Sequence, residues 1–324
     1  FTGYRSEVYT LPPLQIPCIM NFPNDALSCH WNIRHKFVHE TPTMAQHRMT
    51  AGKHDTRIWL LTLLLVLATS FASAQGREPM HILAFFSNYP DSAHVYFLRD
   101  ANRWFSEQAK IMGFTYDSTR NWDRMNIRSL DSFSVVLFLD SRPDKPAQRE
   151  AFQRWMEKGG AWMGFHFAAF ALTPSDFNQD WDWYHNTFIG AGQYVSNTWR
   201  PTTAVLRNEK PKHPATKGLP ATFPSAPNEW YRWERDLRLN KDIRILLSID
   251  SSSFPLGTGP KPQEIWHAGY YPVAWTNRRY RMIYMNMGHD DIDYDRHVSL
   301  SSTFSSPDQN RFILDALYWL GRRR

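Results

Sequence analysis

Three ionisable residues lie either at the predicted end of a buried strand or among aromatic residues: His166, Glu229 and His289. His166 is the one ionisable residue in the apolar run 161–170 (AWMGFHFAAF), and His289 closes a second apolar run. Glu229 lies within 228–233 (NEWYRW), and apolar neighbours raise the pKa of a carboxyl group towards values useful in catalysis. Because imidazole and carboxyl groups in one cleft suit general acid–base catalysis, these three residues form the candidate catalytic set.

Two of these assignments have a structural alternative. His166 could be a core histidine whose ring is satisfied by a backbone carbonyl. Glu229 could simply pair with a nearby arginine.

A second group of residues has the composition of a saccharide-binding surface. Aromatic rings stack on the C–H faces of sugars, while Asp, His and Asn side chains bond to the hydroxyls. The segment 181–192 and the region around Glu229 both combine these residue types, although an inward-packed surface helix is an equal alternative for the first. The substrate-binding candidates are Trp181, Asp182, Tyr184, His185, Trp230, Tyr231, His267 and Asp290.

The elements that must position these residues follow from hydrophobic periodicity. Apolar runs predict strands, whereas 3.6-residue spacing with an Asp or Ser cap and a terminal Gly predicts helices. The predicted strands are 81–87, 114–117, 134–140, 161–167, 204–207, 242–250, 264–275 and 281–289, and the predicted helices are about 92–110, 147–158 and 307–320. The alternation over 81–167 predicts a parallel sheet covered by helices, with the loops after 87, 140 and 167 at one edge. Open α/β sheets bind their ligands at that edge.

The first 74 residues differ from the rest of the chain. Residues 1–48 lack sustained periodicity, and we interpret them as a non-native or disordered leader. Residues 49–74 have the basic start, apolar core and small-residue cleavage site of a signal peptide cleaved near Ala74, with an uncleaved anchor as the alternative. Residues 75–324 then form a single α/β domain, located in the periplasm or at the cell surface.

Composition narrows the chemistry of this domain. Both cysteines, Cys18 and Cys29, precede residue 75, so the domain has no thiolate nucleophile and no disulfide. The formal net charge is +6, but no basic run interleaves with aromatic residues along one helix, so we expect no nucleic-acid partner. After signal cleavage we expect no membrane association.

Several segments together resemble the ThuA-like (trehalose utilisation) family, most closely its secreted members of Bacteroidetes type. They are ILAFFS (82–87), GGAWMGFHFAA (159–169), WDWYHNTFIGA (181–191), HPATKGLP (213–220), NEWYRW (228–233), YPVAW (271–275) and MIYMNMGHD (282–290). The resemblance implies a flavodoxin-like, three-layer α/β fold with a mostly parallel central sheet, similar to class I glutamine amidotransferases. It also implies a saccharide substrate, a sugar oxidoreductase as possible partner, and a homo-oligomer.

The sequence departs from these relatives at two places. Amidotransferases carry a catalytic cysteine in the turn after the central strand, and here His166 or Phe167 takes that place. The family's His-Pro before Val-Ala-Trp is Tyr271-Pro272 here, so His267 would have to replace that histidine if its role persists.

Three functions remain open at this point. The first is an exported enzyme of di- or keto-saccharide metabolism that uses the His/Glu site. The second is a non-catalytic sugar-binding or scaffold protein on an inactive amidotransferase fold. The third is a metal-dependent hydrolase that uses His166, His185 or His289 with Asp182 or Asp290, although their spacing matches no tight ligand motif. We predict no cofactor, and a divalent metal only under the third hypothesis.

Overall fold

The computed structural model describes residues 79–87, 91–254, 266 and 269–322. These residues belong to one unit that spans Gln75–Arg324. The predicted leader, the signal peptide and His267 lie outside the described residues. Among the residues that are described, no helix is long and apolar enough to cross a membrane.

A mixed sheet forms the centre of the fold. Within the described part of the chain it has nine strands, in the order β2-β1-β3-β4-β11-β10-β9-β6-β7. The strands are β1 (His81–Phe86), β2 (Thr115–Thr119), β3 (Val135–Leu139), β4 (Ala161–Phe165), β6 (Val205–Asn208), β7 (Thr222–Pro224), β9 (Ile243–Ile249), β10 (Tyr271–Asn277) and β11 (Arg281–Met285). Only β10 and β6 run opposite to the others, so the sheet is mostly parallel, as predicted.

Two small strand pairs accompany this sheet. β5 (Tyr194–Asn197) pairs with β8 (Tyr231–Trp233), and β12 (Ile292–Asp293) pairs with β13 (Val298–Ser299). The first pair carries Tyr231 towards the end of β4, and the second follows His289 in the chain.

Four helices flank the sheet in the described residues: α1 (Ser92–Met112), α2 (Ile127–Leu130), α3 (Pro146–Glu157) and α4 (Pro307–Gly321). The predicted signals set the ends of α1, because Asp91 accepts a hydrogen bond from the N–H of Ala93 and Gly113 adopts the left-handed conformation with φ 75°. Proline at the first position of α3 and α4 removes an N–H that would have no partner in the helix.

Successive side chains along each strand point to opposite faces of the sheet, so the core has two layers. Ile82 and Ala84 of β1 face the layer that contains α1 and α4, whereas Leu83 and Phe85 face the layer that contains α3. Both faces of the central strands are therefore covered, which explains why β1, β3 and β4 read as continuous apolar runs.

The strand ends form a straight edge, and this edge positions the site. Phe86 pairs with Leu139, Leu139 pairs with Phe165, and Phe165 pairs with Met285. The predicted common edge for the loops after 87, 140 and 167 is thus confirmed. In each strand the next residue is polar, which places Ser87, Asp140, His166 and Asn286 in one row.

Three predicted strands differ from the structure at one end. The strand predicted to reach residue 167 ends at Phe165, because the backbone turns at His166. Of the strand predicted over 264–275, residues 264, 265, 267 and 268 lie outside the described residues, Trp266 is not in a strand, and β10 begins at Tyr271. The strand predicted over 281–289 ends at Met285.

Candidate acid–base site

His166 occupies a strained turn at the end of β4. Its φ is 41°, in the left-handed region that non-glycine residues seldom adopt, and its side chain is fully buried. The turn is possible because Gly288 passes close by: a Cβ on Gly288, which has φ 128°, would lie 2.9 Å from the Cβ of His166. Such backbone strain costs about 1–3 kcal/mol and is common at functional sites.

Glu229 is shared between the two histidines. Its Oε2 lies 3.2 Å from Nε2 of His166 and 3.3 Å from Nε2 of His289. The backbone N–H of Glu229 bonds to the carbonyl of Gly288 at 2.9 Å, and Asn197 donates its side-chain amide to Oε1. All three ionisable side chains are buried, so the three candidate catalytic residues meet in one place.

His289 is held in the form that makes it a proton donor. Its Nδ1 lies 2.9 Å from the backbone carbonyl of Asp290, so Nδ1 carries a hydrogen and Nε2 faces Glu229. Burial by itself lowers the pKa of His289, but the charge and hydrogen bonding of Glu229 outweigh it and raise the pKa to about 9. Burial would likewise raise the pKa of Glu229, yet the two imidazoles hold it well below its usual value. The two groups therefore form a buried ion pair at neutral pH.

His166, in contrast, is held in the neutral form. The side-chain oxygen of Asn286 accepts the backbone N–H of Tyr231 at 2.5 Å, so the amide NH₂ of Asn286 faces His166 Nδ1 at 3.2 Å. Nδ1 is thus an acceptor, and the hydrogen of the neutral ring lies on Nε2, 2.7 Å from the Tyr231 hydroxyl. Burial lowers the pKa of His166, which keeps this ring uncharged.

The same three residues have a donor set that zinc could use. Their candidate ligand atoms lie within 4.8 Å of one another, and two histidines with one glutamate bind zinc in some hydrolases. A metal on His166 Nε2, however, needs the ring hydrogen on Nδ1, whereas the Asn286 amide directs a donor at Nδ1. The arrangement therefore fits a site that holds protons better than one that holds a metal.

Two of the predicted substrate-binding residues lie at this site. Tyr231 contacts His166 through its hydroxyl. Asp290 is fully buried, its Oδ1 accepts the N–H of Thr303 at 2.8 Å, its Oδ2 has no hydrogen-bond partner, and burial raises its pKa to about 7.

Other predicted substrate-binding residues pack into the core instead. Trp181 stacks on Tyr184 with 4.6 Å between ring centroids, and both belong to the layer of α3. The Tyr184 hydroxyl bonds to the carbonyl of Ala168 at 2.8 Å, so it supports the turn after His166 from behind. His185, in the π-helical segment Trp183–Phe188, is fully buried, and neither ring nitrogen has a hydrogen-bond partner. The aromatic side chains of this segment therefore pack inward, as in the alternative interpretation of the sequence.

Two further candidates have other hydrogen-bond partners. Trp230 is fully buried, and its indole N–H bonds to the carbonyl of Thr202 at 2.8 Å. Asp182 is exposed and accepts a hydrogen bond of 2.6 Å from Asn186.

Sequence reasoning missed four residues of the site: His94, Asp140, Asn197 and Asn286. A usable signal existed for Asp140 and Asn286, because each is the first polar residue after a buried parallel strand. His94 lies inside an amphipathic helix and Asn197 in a short strand, so neither is marked by local sequence.

The fold and the strained turn define the class of this protein. It is a flavodoxin-like α/β protein of the glutamine amidotransferase-like type, with a histidine at the turn after the central strand. The family model described as ThuA, trehalose utilisation, matches residues 85–320. The chain therefore belongs to the ThuA family, and its role at the family level is related to carbohydrates.

Solved structures agree with this assignment. The chain is 33% identical to a ThuA-like protein from Bacteroides uniformis ATCC 8492, over 76% of this chain and 93% of that one, with a TM-score of 0.65. A ThuA-like protein from Parabacteroides merdae ATCC 43184 is 16% identical over 75% of this chain and 90% of that one, with a TM-score of 0.52, and supports the fold alone. Comparison with curated proteins found no match.

Proposed function

We propose that this protein is an enzyme that transfers protons on a saccharide or a saccharide derivative, with His166, Glu229 and His289 as its acid–base centre. One observation carries the proposal. The buried carboxylate of Glu229 lies within 3.3 Å of two imidazoles, and their hydrogen-bond partners fix the two rings in different protonation states.

The roles of the three residues follow from those states. His289 is the proton donor, since its cationic ring holds a hydrogen on each nitrogen. Glu229 stabilises that charge and relays the returning proton to Nε2 of His289. His166 shares its Nε2 hydrogen with the Tyr231 hydroxyl, so it can position that hydroxyl towards a substrate oxygen. Groups held in place in this way contribute about 10²–10⁴-fold to a proton transfer.

The saccharide part of the proposal has separate support. The family description concerns trehalose utilisation. Near the site, the half-buried Trp199 lies 6.0 Å from His289 and 5.9 Å from Tyr294 between ring centroids. Exposed faces of Trp and Tyr beside an acid–base set suit a sugar ring, whose C–H groups stack on aromatic surfaces.

A purely structural role is less consistent with the site. The left-handed φ of His166 costs free energy, and a buried ion pair is often no more stabilising than apolar residues of similar volume. A scaffold or sugar-binding protein needs neither feature. The third hypothesis, a metal-dependent hydrolase, is tested by the chelator experiment described below.

The test begins with a thermal-shift screen of the purified protein against disaccharides, monosaccharides and keto-sugars, followed by turnover measurements on each ligand that stabilises it. His166→Asn and His289→Asn are the informative variants, because Asn tolerates the left-handed φ of His166. His297→Asn is the matched control, since His297 is exposed and also has a positive φ of 53°.

We expect the first two variants to lose turnover by at least about 100-fold and the control to retain it. Full activity in both His166→Asn and His289→Asn would overturn the proposal. Ligand binding without turnover by the wild type would favour the binding protein. Turnover that disappears on dialysis against a chelator and returns with zinc would favour the hydrolase.

The proposal also places the enzyme outside the cytoplasm. Its support is the signal-peptide pattern of residues 49–74, and cell fractionation with N-terminal sequencing tests it. Association with a sugar oxidoreductase and self-association remain part of the proposal, and both are measurable by co-purification and light scattering.

A further inference from the structure

An imidazole–carboxylate pair lies next to the acid–base centre. His94 is in the first turn of α1, and Asp140 follows the last residue of β3. His94 Nδ1 lies 2.9 Å from Asp140 Oδ2, and Asp140 is fully buried. The other oxygen of Asp140 accepts the backbone N–H of Phe167 at 3.2 Å. One carboxylate thus holds both the His94 ring and the turn that contains His166.

The hydrogen bond determines which nitrogen of His94 is basic. A carboxylate can only accept, so the hydrogen of the neutral ring lies on Nδ1 and the lone pair on Nε2. In Ser-His-Asp hydrolases a buried aspartate holds the catalytic histidine in the same tautomer, and Nε2 is the nitrogen that takes the proton.

The position of His94 brings it to the same space as the other imidazoles. Its ring centroid lies 4.9 Å from that of His289 and 5.8 Å from that of His166. The His94 side chain is 10% exposed, against 0% for His166 and 3% for His289. Of the three imidazoles, His94 therefore offers the largest exposed surface to a molecule in solvent.

We propose that His94 is a further catalytic residue, the general base of the reaction, and that Asp140 is its positioning residue. This inference rests on the proposed function, because it assigns the base for that proton transfer. Nε2 of His94 takes the proton of a substrate hydroxyl, whose O–H electron pair stays on the oxygen. Asp140 balances the charge of the ring. As that oxygen forms a carbonyl with its carbon, the bond from the same carbon to a second oxygen breaks, the electron pair of this bond moves to the second oxygen, and His289 gives that oxygen its Nε2 proton. His94 then loses its proton to solvent and His289 takes one from solvent, which restores both rings.

The first test needs no substrate. Diethylpyrocarbonate acylates an accessible imidazole nitrogen that bears a lone pair, and peptide mapping by mass spectrometry reports the order of modification. Among His94, His166 and His289, we expect His94 to react first, and its rate to change in Asp140→Asn. Prior reaction of either deeper histidine, or no effect of Asp140→Asn, overturns the inference.

The second test uses the substrate found by the screen. His94→Ala is expected to lower kcat by at least about 100-fold with little change in KM, and added imidazole is expected to restore part of the turnover. A purely structural clamp between α1 and β3 predicts no rescue by imidazole. His81→Gln serves as a control, because His81 hydrogen-bonds to Thr115 on the same sheet, at its opposite edge.

The outcomes separate this inference from the proposed function. Loss of turnover in His166→Asn and His289→Asn with full turnover in His94→Ala would refute the role of His94 and leave the proposed function intact. If His166→Asn and His289→Asn keep their turnover while His94→Ala loses it and is rescued by imidazole, the proposed acid–base centre is refuted and the role of His94 as a base is kept.

Discussion

Replacement of Glu229 by glutamine removes the charge that holds His289 in its cationic form. In the wild type, burial lowers the pKa of His289, and Glu229 more than offsets this and raises it from 6.5 to about 9. In Glu229→Gln burial remains the largest influence on this pKa and is opposed only by the Asp290 carbonyl and the charge of Asp140, so we expect the folded-state pKa to fall below 6.5. The variant keeps the shape of the side chain, but its NH₂ group replaces one accepting oxygen, so it adds a hydrogen-bond cost that does not depend on pH to the electrostatic change.

The free-energy change follows from this shift and has a definite pH dependence. A difference of about 2.5 pKa units corresponds to about 3 kcal/mol. Because the folded-state pKa is raised, this stability is fully present below pH 6.5 and is lost as the pH rises through 9. Glu229→Gln should therefore lower the free energy of unfolding by about 3 kcal/mol at pH 6.5, and by much less at pH 9.5.

Urea unfolding at pH 6.5, 8 and 9.5 measures this difference, with Glu157→Gln on the exposed side of α3 as the control for loss of a carboxylate. A cost of Glu229→Gln that is the same at all three pH values would refute the ion pair. So would a wild-type His289 that titrates near 6.5 in NMR spectra.

Two further predictions concern the turn and the core. Gly288→Ala should destabilise the protein by about 1–3 kcal/mol and displace His166, because the new Cβ would lie 2.9 Å from the His166 Cβ and the φ of residue 288 is 128°. Gly113→Ala is the control: its φ is 75° but no heavy atom lies within 4 Å of the new Cβ, so it should cost only its backbone strain. Equal costs of the two variants in urea unfolding would contradict the close approach of Gly288 to His166. Burial lowers the pKa of His185 to about 3, so its folded form stays neutral and the protein loses stability as the pH falls from 6.5 towards 3. The wild type should lose about 2 kcal/mol of its free energy of unfolding to this effect at pH 5, and His185→Leu should not show that loss in acid-unfolding curves. The same decrease of stability with falling pH in both proteins would show that His185 is solvated.

Much of the parallel half of the sheet could be predicted from sequence, because its strands are buried on both faces and read as uninterrupted apolar runs. The cap residues Asp91 and Gly113 likewise marked α1. The end of β4 was less predictable, since the turn at His166 depends on the approach of Gly288, which is 122 residues away in the chain.

The site was only partly predictable for the same reason. His166 directly follows β4, but His289 lies four residues beyond the end of β11. The position of Glu229 depends on the bond between its N–H and the carbonyl of Gly288. The protonation states were beyond sequence reasoning, because they follow from Asn286 and the carbonyl of Asp290. The aromatic segment 181–188 was ambiguous, since rings that pack inward and rings that bind sugar have the same composition.

Nitrogen NMR of ¹⁵N-histidine-labelled protein at pH 7.5, assigned with His166→Asn and His289→Asn, tests the central claim most directly. We predict that both ring nitrogens of His289 carry hydrogen and that the His166 ring is neutral with its hydrogen on Nε2. A neutral His289, or a His166 ring with its hydrogen on Nδ1, would contradict the account of a buried centre that holds protons for catalysis.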